Sequence, residues 1–105
     1  MNLRRIAVFI AALVAALSLP VRAQDAGTLQ VAGLAATCAN CHGTQGRTVG
    51  SALPTLAGMN KDAMLEQLRA FRSGARPATI MHQLTKGYSD AQLEQIATYF
   101  SRQPR

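Results

Sequence analysis

The sequence contains no tryptophan, only two cysteines, and few aromatic or charged residues, at 5% and 15% of its 105 positions. A chain of this length holds one small domain at most, so a multidomain enzyme is excluded. No heptad repeat is sustained and the eight glycines follow no three-residue period, which excludes a coiled coil and a collagen-like fibre. With so few large side chains, the composition favours a bound cofactor or metal as part of the core.

The longest apolar run lies near the N-terminus. Two arginines precede fourteen residues, 6–19, that are apolar apart from one serine, and Pro20 then breaks the run before small residues up to Ala23. This layout predicts a secretory signal peptide over residues 1–23 that is cleaved after Ala23. The alternative is an uncleaved membrane anchor, which needs about 20 apolar residues. We therefore expect a periplasmic protein whose domain covers residues 24–105, with no stable membrane anchor after cleavage.

Much of the positive charge belongs to this leader. The whole chain has a net charge of +6, whereas residues 24–105 hold eight basic and five acidic residues and a net charge of +3. Basic runs with interleaved aromatic residues are lacking, so the high isoelectric point does not indicate nucleic-acid binding.

Helical patterns dominate residues 24–105. Residues 28–37 place small and apolar side chains at helical spacing and predict a short helix. Asn60 can cap a second helix that ends near Gly74, and residues 89–92 form a capping box that opens a third. The sequence shows no period-two strand pattern and no internal repeat, so we predict an all-α fold of three to five short helices.

Two segments between these helices are predicted to be irregular. Four glycines and Pro54 fall within residues 43–58 and indicate a surface loop. Pro77 restricts the residue before it and predicts an extended segment that carries Met81.

Cys38, Cys41 and His42 form a Cys-x-x-Cys-His pentapeptide, the most specific chemical signal in the sequence. This spacing is typical of c-type haem attachment. On a helix these positions share one face, so two thiols can form thioethers with the vinyl groups of a porphyrin while the imidazole reaches the iron. A disulfide between the cysteines would close a very short loop and barely restrict the unfolded chain.

Two other chemistries use closely spaced cysteines. A thioredoxin-like redox pair needs a βαβ context, and no strand pattern is present in this sequence. A structural zinc site normally needs four ligands. Residues 24–105 supply two cysteines and two histidines without a second close pair, so haem remains the favoured hypothesis.

The residues alone leave the second axial ligand of such an iron open. The candidates are Met59, Met64, Met81, His82 and, less favourably, a lysine. Met64 falls on the apolar stripe of the predicted second helix, where a core role is the default. Met59 lies in the loop before that helix. Met81 is favoured because its extended segment could cross the open face of a haem.

The order of these features resembles class I cytochrome c. The phrases that carry this resemblance are the pentapeptide, residues 53–58 and residues 96–100. Residues 71–74, 78–81 and 86–90 resemble, more narrowly, the small monohaem cytochrome subunit of flavocytochrome c sulfide dehydrogenase. The resemblance covers nearly all of residues 28–103.

This resemblance implies the class I cytochrome c fold, wrapped around one covalently attached haem c. It implies that Met81 is the distal ligand of the iron. It also implies that the carbonyl of Pro54 accepts a hydrogen bond from His42 Nδ1–H, which would orient the imidazole. It assigns no role to His82, which we expect at the surface.

The terminal helices should cross, as they do in class I cytochromes. Gly33 or Ala32 should then admit Tyr99 or Phe100 at close approach. The other interpretation is that all four are ordinary core residues.

An iron with histidine and methionine on its two faces has no open position, so we expect electron transfer and assign no catalytic residue to this chain. The resemblance implies the haem subunit of a complex in which a flavoprotein oxidises sulfide and passes electrons through this chain to a downstream acceptor. The alternatives are a diffusible cytochrome serving another periplasmic oxidoreductase and a haem-based sensor with a labile sixth ligand.

One helix edge is a candidate docking surface. Lys61, Leu65, Arg69 and Arg72 fall beside the apolar stripe of the predicted second helix. The pattern predicts a basic edge with an exposed leucine, although such charges commonly serve as a solvated face.

Overall fold

The structure is a computed structural model that describes residues 2, 3, 5, 8, 25–50 and 52–105. The predicted signal peptide therefore lies outside the described residues apart from residues 2, 3, 5 and 8, and so does its cleavage site. Among the residues that are described, no helix has both the length and the apolar composition needed to cross a membrane.

Residues 25–50 and 52–105 form four α-helices and two 3₁₀ turns, joined by irregular segments. The α-helices are α1 (Ala26–His42), α2 (Lys61–Ser73), α3 (Met81–Leu84) and α4 (Asp90–Ser101). The 3₁₀ turns are Thr44–Gly46 and Thr85–Gly87. Residues 25–50 and 52–105 contain no strand, and the all-α prediction is confirmed.

Local capping groups fix the ends of α2 and the start of α4. The side chain of Asn60 accepts a hydrogen bond of 3.0 Å from Ala63 N, and Gly74 ends α2 with a left-handed φ of 82°. Ser89 and Gln92 exchange side-chain and backbone hydrogen bonds of 3.2 and 2.9 Å. These groups satisfy backbone atoms that a helix terminus leaves unpaired, and both predicted helices are confirmed.

Helix α1 is longer than predicted and runs through the pentapeptide to His42. It ends at Gly43, where φ is 81° and an added Cβ would lie 1.8 Å from the carbonyl oxygen of Arg47. The apolar periodicity fades after Thr37, but nothing before Gly43 prevents the backbone from continuing. Both cysteines and the histidine are therefore helical.

The core forms where α4 packs against α1 and α2. Its buried residues are Ala35, Met64, Leu65, Leu68, Leu93, Ile96, Ala97 and Phe100. Helix α4 supplies half of them at positions three and four apart, the spacing of one helix face. The all-helical core thus joins the N-terminal helix, which carries the pentapeptide, to the last helix of the chain.

Of the two residues that the sequence offers for the close approach between the terminal helices, Gly33 and Ala32, Gly33 does not make it. Gly33 is exposed, and a Cβ added there would meet no atom within 4 Å outside its own helix. The buried small residue of α1 is instead Ala35, which is 1% exposed. Helical spacing alone did not distinguish these two small residues, and the prediction for Gly33 is wrong.

The predicted basic edge of α2 also needs correction. Leu65 is 6% exposed and belongs to the core, so it is not an exposed apolar residue. Lys61 pairs with Glu94 at 2.7 Å, and Arg72 pairs with Asp90. Both ion pairs join α2 to α4. Two of the three cations are therefore engaged in ion pairs within the molecule, whereas Arg69 is exposed.

Candidate functional site

Helix α1 divides the two cysteines between the core and the surface. Cys38 is half-buried against the core, whereas Cys41, almost one turn later, is exposed. No disulfide joins them. Burial is the main cause that raises the pKa of the Cys38 thiol. The helix therefore presents two thiols at the boundary between apolar side chains and the surface.

His42 lies at the end of the same helix and is 8% exposed. Its Nδ1 atom is 2.8 Å from the carbonyl oxygen of Pro54. Because a carbonyl oxygen can only accept, Nδ1 carries the hydrogen and Nε2 keeps a free lone pair. The hydrogen bond selects the tautomer in which Nε2 can bind a metal ion, and it orients the ring.

The loop over residues 43–58 brings Pro54 to the histidine. The carbonyl oxygen of Gly46 accepts hydrogen bonds from Leu56 N and Ala57 N at 2.8 and 3.1 Å, which closes the loop on itself. Gly58 N donates to Phe100 O at 2.9 Å, which ties the end of the loop to α4. The loop prediction agrees with these residues, but its closure depends on contacts that periodicity does not reveal.

Met81 is half-buried against the core, and it begins α3 instead of lying in an extended segment. Gln83 N and Leu84 N donate to Ile80 O at 2.9 and 3.1 Å and so form the turn that contains it. Residues 77 and 78 have no regular secondary structure and residues 79 and 80 are bends, and the extended prediction is wrong at Met81, where α3 begins. Pro77 restricts only the residue before it.

A threonine that the sequence analysis missed supports this turn. Thr85 is 2% exposed, and its Oγ1 donates a 2.8 Å hydrogen bond to Met81 O. A threonine four residues after a methionine carries no distinctive signal, so only the structure identifies it.

The other candidate ligands have different surroundings. Met64 is 3% exposed and part of the core, as predicted, whereas Met59 is half-buried against it. His82 is also half-buried, and its Nδ1 has no hydrogen-bond partner in the described structure. We expected His82 at the surface, and this expectation is wrong for its Nδ1 atom, which is buried.

These side chains fit a c-type haem. The two thiols and the imidazole are placed along one helix, the imidazole has Nε2 available, and several half-buried apolar residues pack, like Cys38, against the core. The described residues contain no group of three or more histidine, cysteine and carboxylate side chains placed to hold a metal ion.

The sequence model of the family described as "Cytochrome c" matches residues 30–103. The cytochrome c-552 of Acidithiobacillus ferridurans is 38% identical over 64 residues, covering 61% of this chain and 27% of that protein. The cytochrome subunit of sulfide dehydrogenase of Chlorobaculum tepidum is 36% identical over 67 residues, covering 64% of this chain and 60% of that protein.

A third relative is the thiosulfate dehydrogenase electron acceptor of Thiomonas intermedia, which is 39% identical over 69 residues, covering 65% of this chain and 32% of that protein. The matched segments thus span between 27% and 60% of the lengths of these three relatives. The family match itself runs from α1 to beyond the end of α4 and includes the pentapeptide. The chain therefore belongs to the cytochrome c family, has its all-α class I fold, and transfers electrons through covalently bound haem c.

Proposed function

We propose that Cys38 and Cys41 form the thioether links to the haem and that His42 Nε2 and Met81 are the axial ligands of its iron. The observation that carries this proposal is the 2.8 Å hydrogen bond between His42 Nδ1 and Pro54 O, which leaves Nε2 as the ligating atom. Met59 directly follows the loop that contains Pro54, whose carbonyl oxygen accepts the hydrogen bond from His42 Nδ1. Met81 lies on a separate segment, and this separation supports it as the opposing ligand.

When bound, the haem supplies a one-electron ferric/ferrous couple. Within this assignment, His42 and Met81 would both hold the iron, and the chain would leave no position at the metal for a substrate. A thioether ligand from Met81 would raise the reduction potential of the haem, and burial of the site would tune it further. Pro54 holds His42 in one orientation and strengthens it as a donor through the Nδ1–H bond.

The assignment of Met81 is tested by spectroscopy of the ferric holoprotein. Met81→Ala should abolish the sulfur-to-iron charge-transfer band, because the variant lacks the thioether. Met64→Leu is the matched control: it removes a buried core thioether at similar volume and should keep the band. If the band persists in Met81→Ala, the distal ligand is another residue, with Met59 the next candidate.

We propose further that the chain is the haem subunit of a complex in which a flavoprotein oxidises sulfide to sulfur. Sulfide would give two electrons to the flavin, and this chain would relay them one at a time to a downstream acceptor. The similarity to the cytochrome subunit of sulfide dehydrogenase of Chlorobaculum tepidum and the phrases at residues 71–74, 78–81 and 86–90 support this role.

A diffusible carrier for another oxidoreductase is the second candidate. The similarity to the cytochrome c-552 of Acidithiobacillus ferridurans, a name that specifies no dehydrogenase, supports it. The two functions differ in whether a flavoprotein stays bound to this chain.

Purification from the native host distinguishes the two functions. A haem subunit should copurify with a flavoprotein, and added sulfide should reduce its haem. If the chain purifies alone as a monomer and added sulfide does not reduce its haem, this proposal is overturned in favour of the carrier. Carbon monoxide binding by the ferrous form at neutral pH would indicate the sensor with a labile ligand.

We also propose export to the periplasm with cleavage after Ala23, which leaves residues 24–105 as the cytochrome domain. The family match over residues 30–103 lies within this range. N-terminal sequencing of the holoprotein should begin at Gln24. A sequence that begins at Met1, from protein found in the membrane fraction, would contradict the proposal.

A further inference from the structure

The residues that follow α4 turn back onto the loop over residues 43–58. Arg105 donates from Nε and Nη2 to the carbonyl oxygen of Gly58, at 3.2 and 3.0 Å. Arg47 Nε donates to the carbonyl oxygen of Pro104 at 2.9 Å. We call Arg47, Gly58, Pro104 and Arg105 the tail clamp. Its two contacts link positions that are 47 and 57 residues apart.

The tail clamp holds the loop near both of its ends. Arg47 lies close to the end of α1, and Gly58 lies just before α2. Both backbone polar groups of Gly58 are hydrogen-bonded. Its N–H donates to Phe100 O at 2.9 Å, and its carbonyl oxygen accepts from Arg105. A Cβ added at Gly58 would lie 2.5 Å from Arg105 Cγ, so the arginine side chain packs directly on the backbone.

The clamped ends of the loop are linked through further hydrogen bonds to the stretch that holds Pro54, the hydrogen-bond partner of His42. Gly46, beside Arg47, accepts from Leu56 N and Ala57 N at 2.8 and 3.1 Å, and these residues adjoin Gly58. Pro54 lies within the stretch that these bonds close, and its carbonyl accepts from His42 Nδ1–H. If the loop opened part of the time, the bond between His42 Nδ1–H and Pro54 O would be broken during that time.

We propose that Arg105 and Arg47 are positioning residues, whose tail clamp keeps the Pro54 carbonyl on His42 Nδ1 and so sets the orientation and donor strength of the proximal ligand. This inference rests on the proposed ligation of the iron by His42. A well-made Nδ1–H bond makes the imidazole a stronger donor, which favours the ferric state. The two arginines therefore act on the iron through the loop without contacting it.

The test compares Arg105→Ala with Arg102→Ala in the holoprotein. Both variants remove one exposed cation from the residues that follow α4, so they have matched charge, but only Arg105 bonds Gly58. In Arg105→Ala we expect exchange of the His42 Nδ1–H and of the Leu56 and Ala57 amides to be faster by about tenfold, measured by NMR in the ferrous protein. The midpoint potential should exceed that of Arg102→Ala.

Arg47→Ala should change the same signals in the same direction, because it removes the other contact of the tail clamp. Arg105→Lys, which keeps the charge and one donor group, should restore part of the protection. Equal Nδ1–H exchange and equal potentials in Arg105→Ala and Arg102→Ala would overturn the inference. A change in amide exchange without any change in the midpoint potential would also overturn the inference, because the tail clamp would then have a purely structural role.

Failure of the proposed ligation has a different signature. A wild-type spectrum without a histidine ligand would refute the assignment of His42. The amide exchange of Leu56 and Ala57 would still report whether the tail clamp holds the loop.

Discussion

Gly46 carries several constraints at a single backbone position. It is buried with a left-handed φ of 79°, and its carbonyl oxygen accepts the two hydrogen bonds that close the loop. A Cβ added there would lie 2.7 Å from Phe100 Cδ1 and 2.9 Å from Leu56 Cβ. A glycine in a glycine-rich loop gives no sequence signal of this contact, because Phe100 lies more than fifty residues away in the chain.

The first prediction concerns this residue. Gly46→Ala should lower the free energy of unfolding by about 2 to 5 kcal/mol, because it combines left-handed strain with overpacking against Phe100. Gly50→Ala is the matched control: its φ is 87° and an added Cβ meets nothing within 4 Å, so it should cost about 1 to 2 kcal/mol. The measurement is equilibrium unfolding of the holoproteins in guanidinium chloride. Equal losses in the two variants would contradict the packing argument.

At the scale of helices and loops, the predictable features are those determined by neighbouring residues. Asn60, Gly74 and Ser89 mark helix ends because each satisfies backbone groups within a few positions. The end of α1 and the start of α3 depend on contacts with residues four positions further along the chain, which no apolar period or capping residue indicates, and the sequence misplaced both. Gly43 has a positive φ, and because it lacks a Cβ it does not clash with the backbone of Arg47. The turn at Met81 is stabilised by the hydrogen bond from Thr85 Oγ1 to Met81 O.

The second prediction concerns the ion pair that joins α2 to α4. The hydrogen bond and charge of Lys61 lower the pKa of Glu94 from its ordinary value of 4.5. A carboxyl whose pKa is lower in the folded protein stabilises the fold above its ordinary pKa, and this contribution disappears as the pH falls through the lowered value. Lys61→Met should therefore cause a small decrease of Tm at pH 7 that disappears in acid.

Lys86→Met is the control for this prediction. Lys86 is an exposed cation in the 3₁₀ turn Thr85–Gly87, so its removal changes the net charge equally without breaking the pair. Thermal unfolding from pH 7 down through the acid range measures both variants. A Tm difference for Lys61→Met that stays constant below the lowered pKa of Glu94 would contradict the assignment.

At the scale of the whole molecule, the class of fold and the covalent attachment follow from the sequence. Helical periodicity indicated the all-α fold, and the pentapeptide indicated haem. The long-range contacts did not follow: the resemblance implied the bond between His42 and Pro54, but no pattern indicated that Arg105 reaches Gly58. Such contacts depend on how α1, α2 and α4 pack, which becomes defined only in the folded molecule.

The third prediction concerns the charge that this fold leaves exposed. Because Lys61 and Arg72 are paired within the molecule, Arg69 is the clearer test of the basic edge. If this edge docks an acidic redox partner, Arg69→Glu should slow electron exchange at low salt by several-fold. The effect should shrink near physiological ionic strength, where the screening length is about 8 Å.

Arg102→Glu is the control for this charge reversal. It makes the same change in net charge on an exposed residue beyond α4. Stopped-flow measurements across a salt series compare the two variants. Equal rates would show that the effect reflects net charge and that the basic edge is a solvated face.

The most direct test of the central claim is the intact mass of the protein produced in a host that matures c-type cytochromes. Covalent attachment predicts a mass that exceeds that of the polypeptide by one haem, and a proteolytic fragment containing Cys38 and Cys41 that retains the haem under denaturing conditions. A colourless product with the mass of the bare polypeptide would contradict the account.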